Sequence, residues 1–224
     1  SGEHPSQRLA EFQGILQTDG YSGYNELRQR AGVVSAGCWD HARRKFKEAI
    51  QVNNKNMTGV GGQLFQLINK LYKIEQNYKS ASIEERYQAR QQYAKPVLKQ
   101  IFEKTKNTNA LPKSALNKAI TYLINQEDEL MRYIQYGDVP ISNCLTENQI
   151  RPFAIGRKNW LFVGNETSAR KSALWYSLIQ SCKINHINPR NYLVAVLNRV
   201  HAMRRGEVNP RNLLPQFIDQ SLFA

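Results

Sequence analysis

The chain has 224 residues, enough for one large domain or a domain carrying a big insertion. Only 41% are hydrophobic, no run of about 18 apolar residues occurs, and SGEHPSQRL at the start has no apolar core, so neither a transmembrane helix nor a secretory leader is expected. The net charge of +13 favours a polyanionic partner, in the first place nucleic acid, over a merely basic soluble protein.

LAEFQGILQT (residues 9–18) predicts a strand with a bend at Gly14. YNELRQRAG predicts a short helix ended by Gly32, and VVSAGCW a second strand of β-branched and small residues. Asp40 stands where an N-cap belongs, ahead of the helix HARRKFKEAI. Strand, helix, strand, helix opens an α/β arrangement. Residues 51–61 predict a loop, after which the period changes. Leu64, Leu67, Ile68, Leu71, Ile74 and Tyr78 recur at helical spacing. Ile83, Tyr87 and Ala94 predict a second helix, which Pro96 either interrupts or follows with a third carrying Val97, Leu98, Ile101 and Phe102. Ser114 is the expected cap of one long helix running to Gly137. Residues 62–136 therefore predict an all-helical block. TSARKSALWYSLIQSCK and RNYLVAVLNRVHAM predict two more helices, and NPRNLLPQFI a proline-bracketed tail that packs back.

Several residues are candidates for chemistry. Asp19 follows the first strand and precedes Gly20, which suits either a metal ligand at a strand end or an Asx-turn. Cys38 and His41 have a Cys-x-x-His spacing, but no second ligand pair accompanies them, so a zinc site is not expected. Cys38, Cys144 and Cys182 are few and far apart, which suits reduced thiols rather than a disulfide framework. Arg43, Arg44 and Lys45 are consecutive on a helix, about 100° apart, so at most two can follow one phosphate path. Glu147 and Arg151 share a helix face and can pair, although Pro152 disfavours a continuous helix there. GRKNWLF (residues 156–162) places Arg157 and Lys158 beside aromatic residues. We expect the cations to face nucleic acid and Trp160, Leu161 and Phe162 to be core, with Gly156 as a helix stop.

LQTDGYSGYNEL, GCWDHARRKF, LPKSALNKAITYLINQ, ISNCLTENQIRPFAIGRKNWLF and SLIQSCKINHINPRNYLVAVLNRV, in this order, resemble the bacterial insertion-sequence transposases of family sixty-six over roughly residues 9–216. The resemblance implies a DDE enzyme with an RNase H-like α/β fold, a mixed sheet interrupted by a large all-helical insertion. Residues 1–50 would belong to the catalytic core, 51–137 to the insertion, and 138–224 to the rest of the core and a helical tail. It also implies that Asp19 is the second and Glu147 the third acidic ligand of two Mg²⁺ (or Mn²⁺) ions. The first acid is expected on an earlier strand, upstream of Ser1, so residues 1–224 alone are expected not to cut DNA. Implied partners are transposon ends and target DNA, a second copy of the chain, and accessory transposition proteins, in a bacterial cytoplasm close to the nucleoid. Arg43, Arg44, Lys45, Arg151, Arg157 and Lys158 are the expected DNA contacts. The sequence departs from the family pattern at Asn143-Cys144, where two asparagines are usual, and at Glu127-Asp128, where a tryptophan is usual. A non-catalytic DNA-binding module of the same ancestry is the alternative, and a metal-independent RNA-binding protein a third.

Overall fold

The structure, a computed structural model, describes residues 3–53, 55–160 and 164–223. The chain forms two compact units, residues 1–145 and 146–224. In the first, α1 (Glu3–Arg8) leads to β1 (Gly14–Thr18), and α2 (Asn25–Arg28) to β2 (Val33–Gly37). The two strands are parallel and in register from Gly14↔Val33 to Thr18↔Gly37. The predicted first strand is shorter than its apolar pattern. It begins at Gly14, whose φ of +116° is open only to glycine and turns the chain into the sheet.

α3 (Trp39–Val52) begins two residues earlier than a cap at Asp40 would place it. The cap position is Cys38, with extended backbone, and the first helical amide, that of Trp39, donates to the Ile141 carbonyl at 3.1 Å. A tertiary bond thus does what a capping side chain would. α4 (Val60–Asn77) buries Leu64, Ile68 and Leu71 as its spacing requires. α5 (Ile83–Ala89) opens with a reciprocal capping box between Ser82 and Glu85. It runs through a widened turn, Arg90–Ala94, into α6 (Lys95–Lys106). That turn is how the chain passes Pro96 without breaking: the ring needs a missing i→i−4 bond, and a π-turn supplies the gap. α7 (Ala115–Asn125) and α8 (Glu127–Met131) replace the one long helix expected there.

The core of this unit is continuous. Trp39, Phe46, Leu64, Ile68, Leu71, Leu98, Ile101, Leu123 and Leu130 are fully buried together, and the indole N–H of Trp39 finds the Leu130 carbonyl at 3.0 Å. Residues from the strand segment and from the helical segment share it. Ser114 caps α7 as expected, its hydroxyl accepting the Asn117 N–H at 3.1 Å. Ser114→Ala is expected to cost about 1 kcal/mol in urea unfolding, with Ser114→Asp restoring most of it.

The second unit contains most of α9 (Cys144–Trp160), then α10 (Glu166–Ile184), α11 (Pro189–Leu197) and α12 (Val200–Arg204). α9 runs unbroken through Pro152 and Gly156, contrary to the expectation that the first would disrupt it and the second end it. Proline removes one N–H, and the carbonyl left without it belongs to Asn148, an exposed residue. Asn165 and Asn188 cap α10 and α11. The tail packs back as predicted, with Leu213 and Ile218 buried against Cys182, Ile187, Tyr192 and Ala195. Leu161 and Phe162, expected as core, lie outside the described residues, as do the side chains of Arg157 and Trp160. Among the described residues no helix is long and apolar enough to cross a membrane.

Candidate metal and nucleic-acid site

Parallel strands end at the same edge, and in α/β proteins the loops beyond their carboxyl ends gather functional groups. Here the last register pair is Thr18↔Gly37, so Asp19 and Cys38 are the first residues past that edge. Thr18 is buried, and its hydroxyl accepts a bond from Arg28. Asp19 is half-buried and forms an Asx-turn, its Oδ1 accepting the Tyr21 N–H at 2.9 Å. Among the described residues no donor is bonded to Oδ2. The turn and the ligand reading are therefore compatible, because one carboxylate oxygen serves each.

The chain that leads into α9 is fixed at the same edge. Gln17 donates from Nε2 to the Pro140 carbonyl at 2.7 Å and to the Gly37 carbonyl at 3.2 Å. Trp39 N–H holds Ile141, and the Asn143 amide reaches the Cys38 thiol. Burial pushes the Cys38 thiol up, against the lowering effect of the Asn143, His41 and Asp40 amides, so it is an inert buried group. Glu147 lies in the first turn of α9, half-buried, one turn ahead of the exposed Arg151. Asp19 belongs to the first unit and Glu147 to the second. Among the described residues no three His, Cys, Asp or Glu side chains form a group able to hold a metal ion.

The three consecutive cations of α3 diverge as their 100° spacing requires. Arg43 turns to α4: its Nε donates to Asn69 Oδ1 at 2.7 Å, and its guanidinium lies 4.9 Å from the Tyr72 ring centre and 5.7 Å from that of Phe65. Arg44 is exposed and meets Asp40 at 3.1 Å, one turn back. Lys45 sits over the Tyr122 ring, its Nζ 5.1 Å from the centroid. Lys158 is exposed on α9.

Sequence reading missed Tyr122. Its hydroxyl donates to the Asp19 carbonyl at 3.0 Å. Burial first, then the negative charges available at Cys38 and Asp19, push its ionisation well above that of a free tyrosine, so it remains a donor. The signal in sequence is faint, a tyrosine at the rim of the stripe formed by Ala119, Ile120 and Leu123.

The model of the family described as "Transposase IS66 family" matches residues 1–171, and that of the "IS66 C-terminal element" matches residues 177–215. Two proteins of Sinorhizobium fredii (strain NBRC 101917 / NGR234) are similar to this chain. "Uncharacterized protein y4hP" is 30% identical over 214 residues, covering 89% of this chain and 39% of its own length. "Uncharacterized protein y4qI" is 31% identical over 204 residues, covering 87% and 37%. The chain thus spans about two-fifths of the length of these curated relatives. No solved structure matches. With the family model covering well over half of the chain, from the Asp19 turn through Glu147 to the start of α10, the chain belongs to the IS66 transposase family.

Proposed function

We propose that this chain is the C-terminal part of the catalytic domain of a DNA transposase, built on an RNase H-like core, with Asp19 and Glu147 as two of three acids that hold divalent metal. The observation that carries it is the shared carboxyl edge of β1 and β2. Asp19 stands on it with Oδ2 open, and residues 140–143, which lead into the helix of Glu147, are bonded to it.

Hard divalent cations prefer carboxylate oxygen, and Asp19 and Glu147 supply that donor type. Two carboxylates are too few for a two-metal site, and the third acid is proposed to lie outside the described residues. When bound, Mg²⁺ or Mn²⁺ supplies Lewis-acid stabilisation of the oxygens at the phosphorus. The chain's own contribution is placement. The Asx-turn keeps Oδ1 of Asp19 in the backbone network and leaves Oδ2 outward. Arg151, Arg157 and Lys158 on α9, and Lys45 on α3, are proposed to contact the DNA phosphates. Arg44 is a weaker contact because it shares its charge with Asp40. Arg43 is committed to α4 and serves packing first. A second copy of the chain and accessory transposition proteins complete the proposed set of partners.

The test uses the protein at the length of its relatives, with DNA carrying the element's ends and Mg²⁺. Glu147→Gln is expected to abolish end cutting while leaving DNA binding within about twofold, because one neutralised acid hardly alters a phosphate-dominated affinity. Cutting at wild-type rate by this variant would remove Glu147 from the ligand set, and absence of cutting by the wild-type protein would overturn the reading in favour of a non-catalytic DNA-binding module.

A further inference from the structure

Tyr122 lies 103 residues from Asp19 in sequence, on α7, yet its hydroxyl holds the Asp19 main-chain carbonyl at 3.0 Å. The carbonyl is the hinge of the turn. Its direction fixes where the peptide to Gly20 points, and so where the Tyr21 N–H meets Oδ1. Gly20 has φ +85°, a conformation that side chains resist. A Cβ there would come within 2.8 Å of Gln126 Oε1 and 3.4 Å of the Tyr122 ring. The C-terminal half of α7 therefore presses on the turn from one side, while the strand end at Thr18, bonded by Arg28, holds it from the other. Lys45 over the Tyr122 ring keeps the ring in place and adds a cation to the same neighbourhood.

We propose that Tyr122 is a positioning residue for Asp19: its hydroxyl sets the backbone of the turn that aims Oδ2, so the helical segment helps to build the metal site. This rests on the reading of Asp19 as a metal ligand. Tyrosine suits the task because its ring packs at the core rim while its hydroxyl reaches out to the turn. Phenylalanine retains the ring and the contact with Lys45 and removes only the hydrogen bond.

The experiment compares wild type, Asp19→Ala, Tyr122→Phe and Gly20→Ala in the protein at the length of its relatives. Mn²⁺ binding is titrated by electron paramagnetic resonance, and hydrogen exchange is followed over residues 18–24. Tyr122→Phe is expected to weaken Mn²⁺ binding by about 10- to 100-fold, as loss of an outer partner of a metal ligand does, and to speed exchange at Tyr21. The unfolding midpoint should stay within about 2 °C of wild type. Gly20→Ala, which strains the same turn through its backbone and against Gln126, should weaken binding in the same direction. If Asp19→Ala weakens Mn²⁺ binding and Tyr122→Phe stays within twofold of wild type, the positioning role is overturned and the ligand reading stands. If Asp19→Ala itself leaves binding unchanged, the ligand reading falls and the inference falls with it.

Discussion

Replacing Arg90 by Met is expected to destabilise the first unit by about 3–5 kcal/mol, the cost of leaving a buried charge without its partner. Arg90 is 2% exposed. Its Nε and Nη2 fork onto the two oxygens of Glu75 at 2.9 and 2.6 Å. Its Nη1 donates to the carbonyls of Tyr133, at 3.1 Å, and Tyr136, which end the turn after α8. The guanidinium also lies 5.0 Å from the Tyr133 ring centre. Methionine fills similar volume but leaves Glu75 charged in a site 17% exposed, and two carbonyls without their donor. Lysine should restore little, since a point charge cannot fork to a carboxylate and reach two carbonyls at once. The pair itself is weak evidence for stability, so Arg90→Met combined with Glu75→Leu should recover most of the loss. Urea unfolding, read by hydrogen exchange of the α5 and α6 amides, separates this unit from the second. A loss below about 1 kcal/mol for the single variant would refute the account.

What sequence made legible follows from how far each cause reaches. The stripe of α4 and the cap of α7 depend on neighbours within four residues, and both were read correctly. The start of α3 was misplaced by two residues because its first amide is bonded by Ile141, about a hundred residues on. Pro152 and Gly156 lower helix propensity without forbidding a helix, and a local window does not say whether the rest of the turn sustains it. Arg90 sits in the polar helical stretch EERYQARQQY, where nothing local marks this cation for burial. Its burial depends on Glu75 in one direction and on carbonyls more than forty residues away in the other. Of the candidate site, the ligand roles of Asp19 and Glu147 rest on resemblance to a family, whereas the Asx-turn is legible from Asp19 and Gly20 alone. The fates of Arg43, Arg44 and Lys45 needed the structure. Spacing says that they diverge, and only packing says toward what.

Two aspartates stand near the carboxyl edge of the strands, and the choice between them is the sharpest test of the mechanism. Asp40, in the first turn of α3, is already engaged: Arg44 meets it at 3.1 Å and the Cys144 thiol is bonded to it. Asp19 spends one oxygen on the Tyr21 amide and keeps the other open. In the protein at the length of its relatives, Asp19→Asn should lower end cutting by about a thousandfold, roughly the 4 kcal/mol that metal-stabilised charge supplies. Asparagine keeps the Asx-turn, because its amide oxygen still accepts the Tyr21 N–H, so the fold and DNA affinity should be unchanged. Asp40→Asn removes an exposed i,i+4 pair worth about 0.3–0.5 kcal/mol and should leave cutting within about threefold. Single-turnover cutting assays at saturating DNA and Mg²⁺ read both variants on the chemical step. A thousandfold loss at Asp40 with Asp19→Asn near wild type would move the ligand to the helix terminus. A large loss in both would mean that the edge works as one network, which includes the bond of Asp40 to Cys144.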